Sequence, residues 1–292
     1  METADSAVFL LTLSIKLITI MKNTISSLFV MAILVLSCKK QENAQGTEMP
    51  KGDSIVALKQ DSVVYSDSIK ATDSLTIAYS DKILVFPDIK EKAILDSLYP
   101  FIKPVGYSKP DLAAAAKKAA ESLFTKVKKG YLADGQIMGN KWYEDNTMRL
   151  RSFTNNYLSV EYTWASYMGG AHDNYGFMEK VFDLESKKQL VLSDITSMPK
   201  KKLESLLMKN VDKIPTGSQN GEGAVKVSDG LLFDKVTVND NFYFDDKNLY
   251  FHYSPYEIAA FAAGDITIPI SWKELEGTIN PEFQKRMKIN TK

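Results

Sequence analysis

The chain has 292 residues, 36 basic against 36 acidic, and so lacks the basic footprint by which a nucleic-acid binder is recognised. Its single cysteine, Cys38, excludes an internal disulfide framework and a thiolate-rich metal site. With 45% apolar residues it can fill a packed core, in one large domain or two small ones.

Met21-Lys22-Asn23 gives a basic start, Ile25 to Leu36 an apolar run, and Ser37 a small residue ahead of Cys38. That is the layout of a cleavable secretory segment. It reads as a bacterial lipobox, with residues 1–37 the signal peptide, Met21 the true initiator and Cys38 the acylated residue. The competing reading is a transmembrane anchor from Ala7 to Leu36. A span of roughly 20 apolar residues would fit, but Lys16 and Lys22 interrupt it. Cleavage after Ser37 removes Lys16, Lys22, Glu2 and Asp5, leaving 34 basic and 34 acidic residues, still neutral. Residues 38–66 are expected to form a flexible tether, polar and poor in apolar side chains at first. Within 54–72, Ser and Asp mix with Val and Ile, and the pattern fits either tether or a first edge strand.

Ordered structure is expected from Leu75 to Tyr79, which alternates like a strand, and from Ile83 to Phe86. Two helices follow. Asp88 and Glu91 have capping-box spacing ahead of Ala93, Ile94, Leu95 and Leu98. Ser108 caps the second, with Pro110 in the first turn and Asp111 at the box position. There Leu112, Ala116, Ala119, Leu123 and Val127 form an apolar stripe, and Gly130 ends the helix. Leu158 to Trp164 alternates without a fault, predicting a strand with one buried and one wet face. Met178 to Leu184 is its partner, and Gln189 to Leu192 a short continuation. A third helix is expected over Pro199 to Ile214, then a glycine-containing loop at Gly217 to Gly223. Phe242 to Asp245 and Leu249 to Tyr253 flank Asp246-Lys247-Asn248 as a hairpin. Ile266, Ile268, Ile270 and Trp272 mark a last strand, which Pro269 confines to an edge or bulge. Elements in blocks rather than in strict βαβ alternation predict an α+β fold, mostly antiparallel sheet with helices packed on one face.

Two segments carry a resemblance. Tyr167-Met168-Gly169-Gly170-Ala171-His172 follows the alternating strand, and Leu249-Tyr250-Phe251-His252-Tyr253-Ser254-Pro255-Tyr256-Glu257-Ile258-Ala259-Ala260-Phe261-Ala262-Ala263-Gly264 comes later. In this order, with Phe182-Asp183-Leu184, Leu190 to Leu192 and Ser193-Asp194 between them, they resemble the extracytoplasmic domain shared by PdaC-type peptidoglycan deacetylases and RsiV-type anti-sigma factors. The resemblance spans about residues 70–275 and divides the chain into a PdaC-like region, 67–168, and an RsiV-like region, 169–278. It implies a surface that recognises a lysozyme-like protein or peptidoglycan. The deacetylases keep catalysis on a separate domain that this chain lacks, so the resemblance assigns no catalytic residue here.

The candidate binding residues are Gly169, Gly170, His172, Asp173, His252, Tyr253, Tyr256 and Glu257. Gly169-Gly170 allows the chain to leave its strand at positive φ, placing His172 and Asp173 at a loop tip. Alternation puts His252 beside Tyr250 and opposite Leu249, Phe251 and Tyr253, and Glu257 follows a Pro-Tyr bend. His172, Asp173, His252 and Glu257 have the donor types of a zinc, iron or manganese site, but such scattered donors are common, and scaffold roles are preferred; no metal or cofactor is expected. Ser197-Met198-Pro199-Lys200 matches Ser-x-x-Lys without its companion motifs and fits a helix N-cap better. No zinc-protease motif, nucleophile elbow or phosphate loop is present. The reading is a binding protein of the cell envelope, lipid-anchored through Cys38 and facing periplasm or exterior. The alternative is a cell-wall glycan enzyme using an unrecognised carboxylate or histidine site, and a passive structural lipoprotein is the third.

Overall fold

The computed structural model describes residues 58–130, 139–214 and 226–291, all within one compact unit that begins at Ala57. The signal segment, Met21, Cys38 and the Gly217–Gly223 loop lie outside the described residues. A six-stranded sheet runs in the order β1 (Asp61–Lys70), β2 (Thr76–Val85), β3 (Lys141–Thr154), β4 (Tyr157–Tyr167), β5 (Asn174–Asp183) and β6 (Lys188–Gln189). Every pairing is antiparallel except β2 with β3. A parallel pair needs a long crossover, and here it carries the helices α1 (Lys92–Leu98) and α2 (Lys109–Lys129). The second sheet is an antiparallel trio, β7 (Phe242–Phe244), β8 (Asn248–Tyr253) and β9 (Ile266–Ser271). The fold is α+β and mostly antiparallel, as the block order of elements implies.

β1 occupies the last six residues of the stretch assigned to the tether, so order begins earlier than residue 67. Its ten residues all pair with β2, and Val63 is buried among the first helix-side core. The Ser/Asp content suits an edge: Asp61 and Asp67 accept the neighbouring Ser62 and Ser68 amides through their own carboxylates. Such local bonds satisfy edge donors that would otherwise invite another strand.

α2 has the expected capping box: Ser108 accepts from the Asp111 amide and Asp111 from the Ser108 amide. Its buried stripe is Leu112, Ala116, Ala120, Phe124 and Val127, turned one residue from the expected Ala119 and Leu123. The short α1 is capped by Glu91 backbone without a side-chain bond, and Asp88 lies outside it. Together α1 and α2 seal one face of the large sheet with Ile83, Val85, Ile94, Leu98, Leu158, Val160 and Tyr162.

β4 departs from the expectation of one wet face. Tyr157 to Tyr162 is buried on both sides, because the three-stranded sheet forms a second layer over Tyr157, Val181 and their neighbours. That layer also buries α4 (Lys200–Asn210), preceded by the single turn α3 (Leu192–Ile195), through Leu203 and Leu207. α4 starts after Pro199 with no side-chain cap; Ser197 instead donates to the Thr278 carbonyl at 3.2 Å. β9 is an edge, as Pro269 requires.

Two proposed boundaries move. Position 168/169 lies in the β4–β5 hairpin of one continuous sheet, so it divides no core. The fold also continues past 278 into α5 (Pro281–Arg286), whose Phe283, with Met287 and Ile289, enters the second core. Arg286 fixes this end to the large sheet, donating to Asp183 and lying 4.0 Å over the Tyr157 ring.

Candidate functional site: an aromatic face above a charged seam

The β4–β5 connection turns on Gly169 and Gly170, at φ 90° and 124°. A side chain at Gly170 would meet no neighbour, so the demand there is conformational rather than steric. The Tyr167 hydroxyl donates to the Gly170 carbonyl at 2.9 Å, and Tyr143 donates to the Asp173 carboxylate at 3.0 Å. His172 donates from Nδ1 to the Asp173 carbonyl at 2.6 Å, which turns Nε2 toward the Tyr256 hydroxyl 3.3 Å away.

Tyr256 belongs to the other motif. Ser254 to Glu257 is a turn in which Glu257 accepts from the Ser254 amide at 3.0 Å and from the Asn239 side chain at 2.8 Å. Tyr256 follows at φ 67°, a left-handed conformation rare for an aromatic residue. It holds the ring 53% exposed. Phe261 completes the face: His172 stacks on it with centroids 4.1 Å apart, and Tyr175 meets it edge-on at 5.3 Å. The Phe177 amide donates to Ser254 Oγ at 2.9 Å, joining the two segments through backbone as well.

Thus the two segments singled out in the sequence meet in one exposed aromatic face. Gly169, Gly170, His172, Asp173, Tyr256 and Glu257 build it, whereas Tyr253 and His252 point elsewhere. Tyr253 is buried, its hydroxyl donating to the Thr237 carbonyl at 2.8 Å. His252 is buried between the two sheets, stacked on Phe177 at 4.6 Å. His172, Asp173, His252 and Glu257 do not gather as a ligand set.

His252 instead enters a charged seam absent from the sequence reading. Its Nδ1 lies 3.0 Å from Glu179 on β5 and its Nε2 3.1 Å from Asp265. Glu179 stands directly opposite Glu161 on β4, two buried carboxylates in register. Like charges so placed repel. A bulge between Leu150 and Ser152 resolves the conflict by presenting Arg151 to both. Arg151 grips Glu179 through two nitrogens, at 2.9 and 2.5 Å, and also binds Glu161, which Arg149 holds from the other side. The Arg151 guanidinium rests 3.9 Å over the Tyr243 ring. Burial raises the Tyr243 hydroxyl to about 12, although the Arg151 charge pulls it down. Asn241 stitches the layers, accepting from the Glu179 amide and donating to the Phe177 and His252 carbonyls.

Glu161, Glu179 and His252 bring one ligand atom each within 4.8 Å, a spacing that suits a metal. The donor set does not: every carboxylate oxygen already accepts from an arginine, and Arg151 bridges the two acids where a cation would sit. Neither acid is free for acid–base work on a bound glycan, and Glu257 uses both oxygens to hold its turn. One signal could have revealed the seam. Only three of the 36 basic residues are arginines, and all three grip carboxylates. A planar fork suits such pairs where lysine does not.

Comparisons with known proteins bear on the fold. A crystal structure of a DUF3298 family member from Bacteroides fragilis matches with a TM-score of 0.63 at 20% identity, covering 80% of this chain and 98% of that one. A DUF3298 family protein from Pseudomonas aeruginosa matches at 0.51 and 17%, covering 77% and 96%. At these identities the likeness establishes the fold alone. No curated protein matches the chain. Residues 188–273, from β6 to just past β9 and including the Tyr256–Phe261 turn, match the family described as protein of unknown function, DUF3298.

Proposed function

We propose that this is a binding protein of the cell envelope, whose aromatic face recognises a lysozyme-like protein or peptidoglycan. The observation that supports it is the meeting of the two motif segments at the His172–Phe261 stack, beside an exposed, strained Tyr256. Aromatic residues held out of the core are typical interface anchors, and backbone strain concentrates where a surface is used. The resemblance to the PdaC and RsiV domains supports the choice of partner, since it rests on these same residues. A lipid on Cys38 tethers the domain to a membrane, facing periplasm or exterior. Unchanged, detergent-resistant membrane retention of Cys38→Ser would remove that part of the reading.

Pull-down with lysozyme and with purified sacculi tests the rest. One of the two is retained at micromolar protein, and Phe261→Ala weakens retention about tenfold, as loss of a central anchor does. Two blank pull-downs, or undiminished binding by Phe261→Ala, refute the assignment.

A further inference from the structure

Ser159 stands two residues from Glu161 on β4 and shares its face, yet no arginine of the seam reaches it. Its hydroxyl is buried and has no hydrogen-bond partner among the described residues. A buried hydroxyl offers one donor and two lone pairs, and native structures rarely leave such a group unused. Ser159 lines a cleft of about 230 Å³ between the β3–β4 hairpin and the β7–β8 turn. The cleft is below the roughly 300–1,000 Å³ of drug-sized sites, so its occupant is small.

The remaining lining gives that occupant a chemistry. Ser152 and Thr154 add two hydroxyls, while buried Val181 and Met287 form an apolar floor. Among the described residues, the only formal charges in the lining are Asp245 and Asp246. Asp245 is committed to its turn, accepting from the Lys247 and Asn248 amides and the Tyr250 hydroxyl. Asp246 is exposed at the mouth. Nearby Arg286 is already engaged with Asp183 and Tyr157. Hydroxyl acceptors below a carboxylate, with no cation in the lining, match an ammonium, which has three donors and no acceptor.

We propose that this cleft binds a small primary alkylamine, its ammonium donating to the Ser159 and Ser152 hydroxyls within the field of Asp246 and its apolar body resting on Val181 and Met287. None of the lining residues belongs to the aromatic face, so the site stands or falls independently of partner recognition there.

Methyl NMR of the full chain, read at Val181 and Met287, tests it with isobutylamine, isobutanol and isobutyrate, one apolar body with three heads. The amine shifts both methyls saturably and about tenfold more tightly than the alcohol, equivalent to 1.4 kcal/mol, and isobutyrate leaves them unmoved. Asp246→Asn, on an exposed turn, abolishes the amine's advantage, and Ser159→Ala weakens amine and alcohol alike. No saturation by any probe, as for a crevice holding only water, overturns the proposal. So does isobutyrate binding as tightly as the amine, an amine preference that survives Asp246→Asn, or amine binding unchanged in Ser159→Ala.

Discussion

On the helix side of the large sheet, Asp81 is buried on β2 with the Tyr79 hydroxyl as its partner at 3.2 Å. On the opposite side Glu161 and Glu179 are buried as deeply, but two arginines and a histidine hold them. Burial raises the Asp81 acid to about 7; the Tyr79 hydrogen bond pulls against this, and the Glu144 and Asp145 charges add to it. The same fold therefore buries carboxylates under two regimes. One is a nearly lone acid, penalised whenever it ionises; the other is a compensated network that ties two sheets together. Removing charge should relieve the first and wreck the second.

Arg151→Met gives the largest effect. It leaves Glu161 and Glu179 facing each other with their shared cation gone, and breaking a buried pair in this way costs about 3–5 kcal/mol. Urea unfolding reads it directly; a loss under 1 kcal/mol would mean the seam contributes no more than a surface pair.

Asp81→Asn is expected to do the opposite, in a pH-dependent way. Below the ordinary carboxyl value of 3.8, folded and unfolded chains both hold the proton and Asp81 has no effect. Between 3.8 and about 7 the unfolded acid ionises while the folded one does not, so stability falls as pH rises. The substitution removes that slope and stabilises by about 3 kcal/mol at pH 8, the rise from 3.8 to about 7 at about 1.4 kcal/mol per unit less the weakening of the Tyr79 bond when its acceptor becomes neutral. Equal melting shifts at pH 4 and pH 8 would rule this account out.

The smallest effect separates stability from recognition. Tyr256→Gly relieves the left-handed backbone and should stabilise the fold by about 1 kcal/mol, while retention of the partner falls. Should both stability and binding drop together, Tyr256 is a packing residue and the aromatic face loses its most exposed anchor.

How much of this was legible in the sequence follows the range of the forces. The Ser108 capping box, the Gly169-Gly170 turn and the Phe242–Tyr253 hairpin rest on neighbours within a few residues, and local chemistry announces them. The strand alternation around Ser159 and Glu161 is equally clear, but it says only that these side chains share a face. That the face is dry depends on β7–β9, supplied from beyond residue 240, and on Arg151, displaced by a bulge that no periodicity predicts. The convergence of His172 with Tyr256 and Phe261 is non-local in the same way. Both loops were visible, and their meeting was not. β1 was ambiguous because edge strands tolerate the polar composition of a tether.

Arg286 and Phe283 also carry a consequence for synthesis. Phe283 packs against Tyr157, Phe244 and Trp272, so residues of α5 complete a core whose other walls are made from β4 onward. A nascent chain that has reached Thr278 has both sheets but not the plug between them. It exposes Tyr157, Phe244 and Trp272 together until Asn280 to Ile289 arrive. The helix-side core, made from residues 63 to 182, has no such dependence and can assemble first. Folding on the ribosome should therefore proceed in two steps, with the interval between them the moment at which the chain is most open to aggregation.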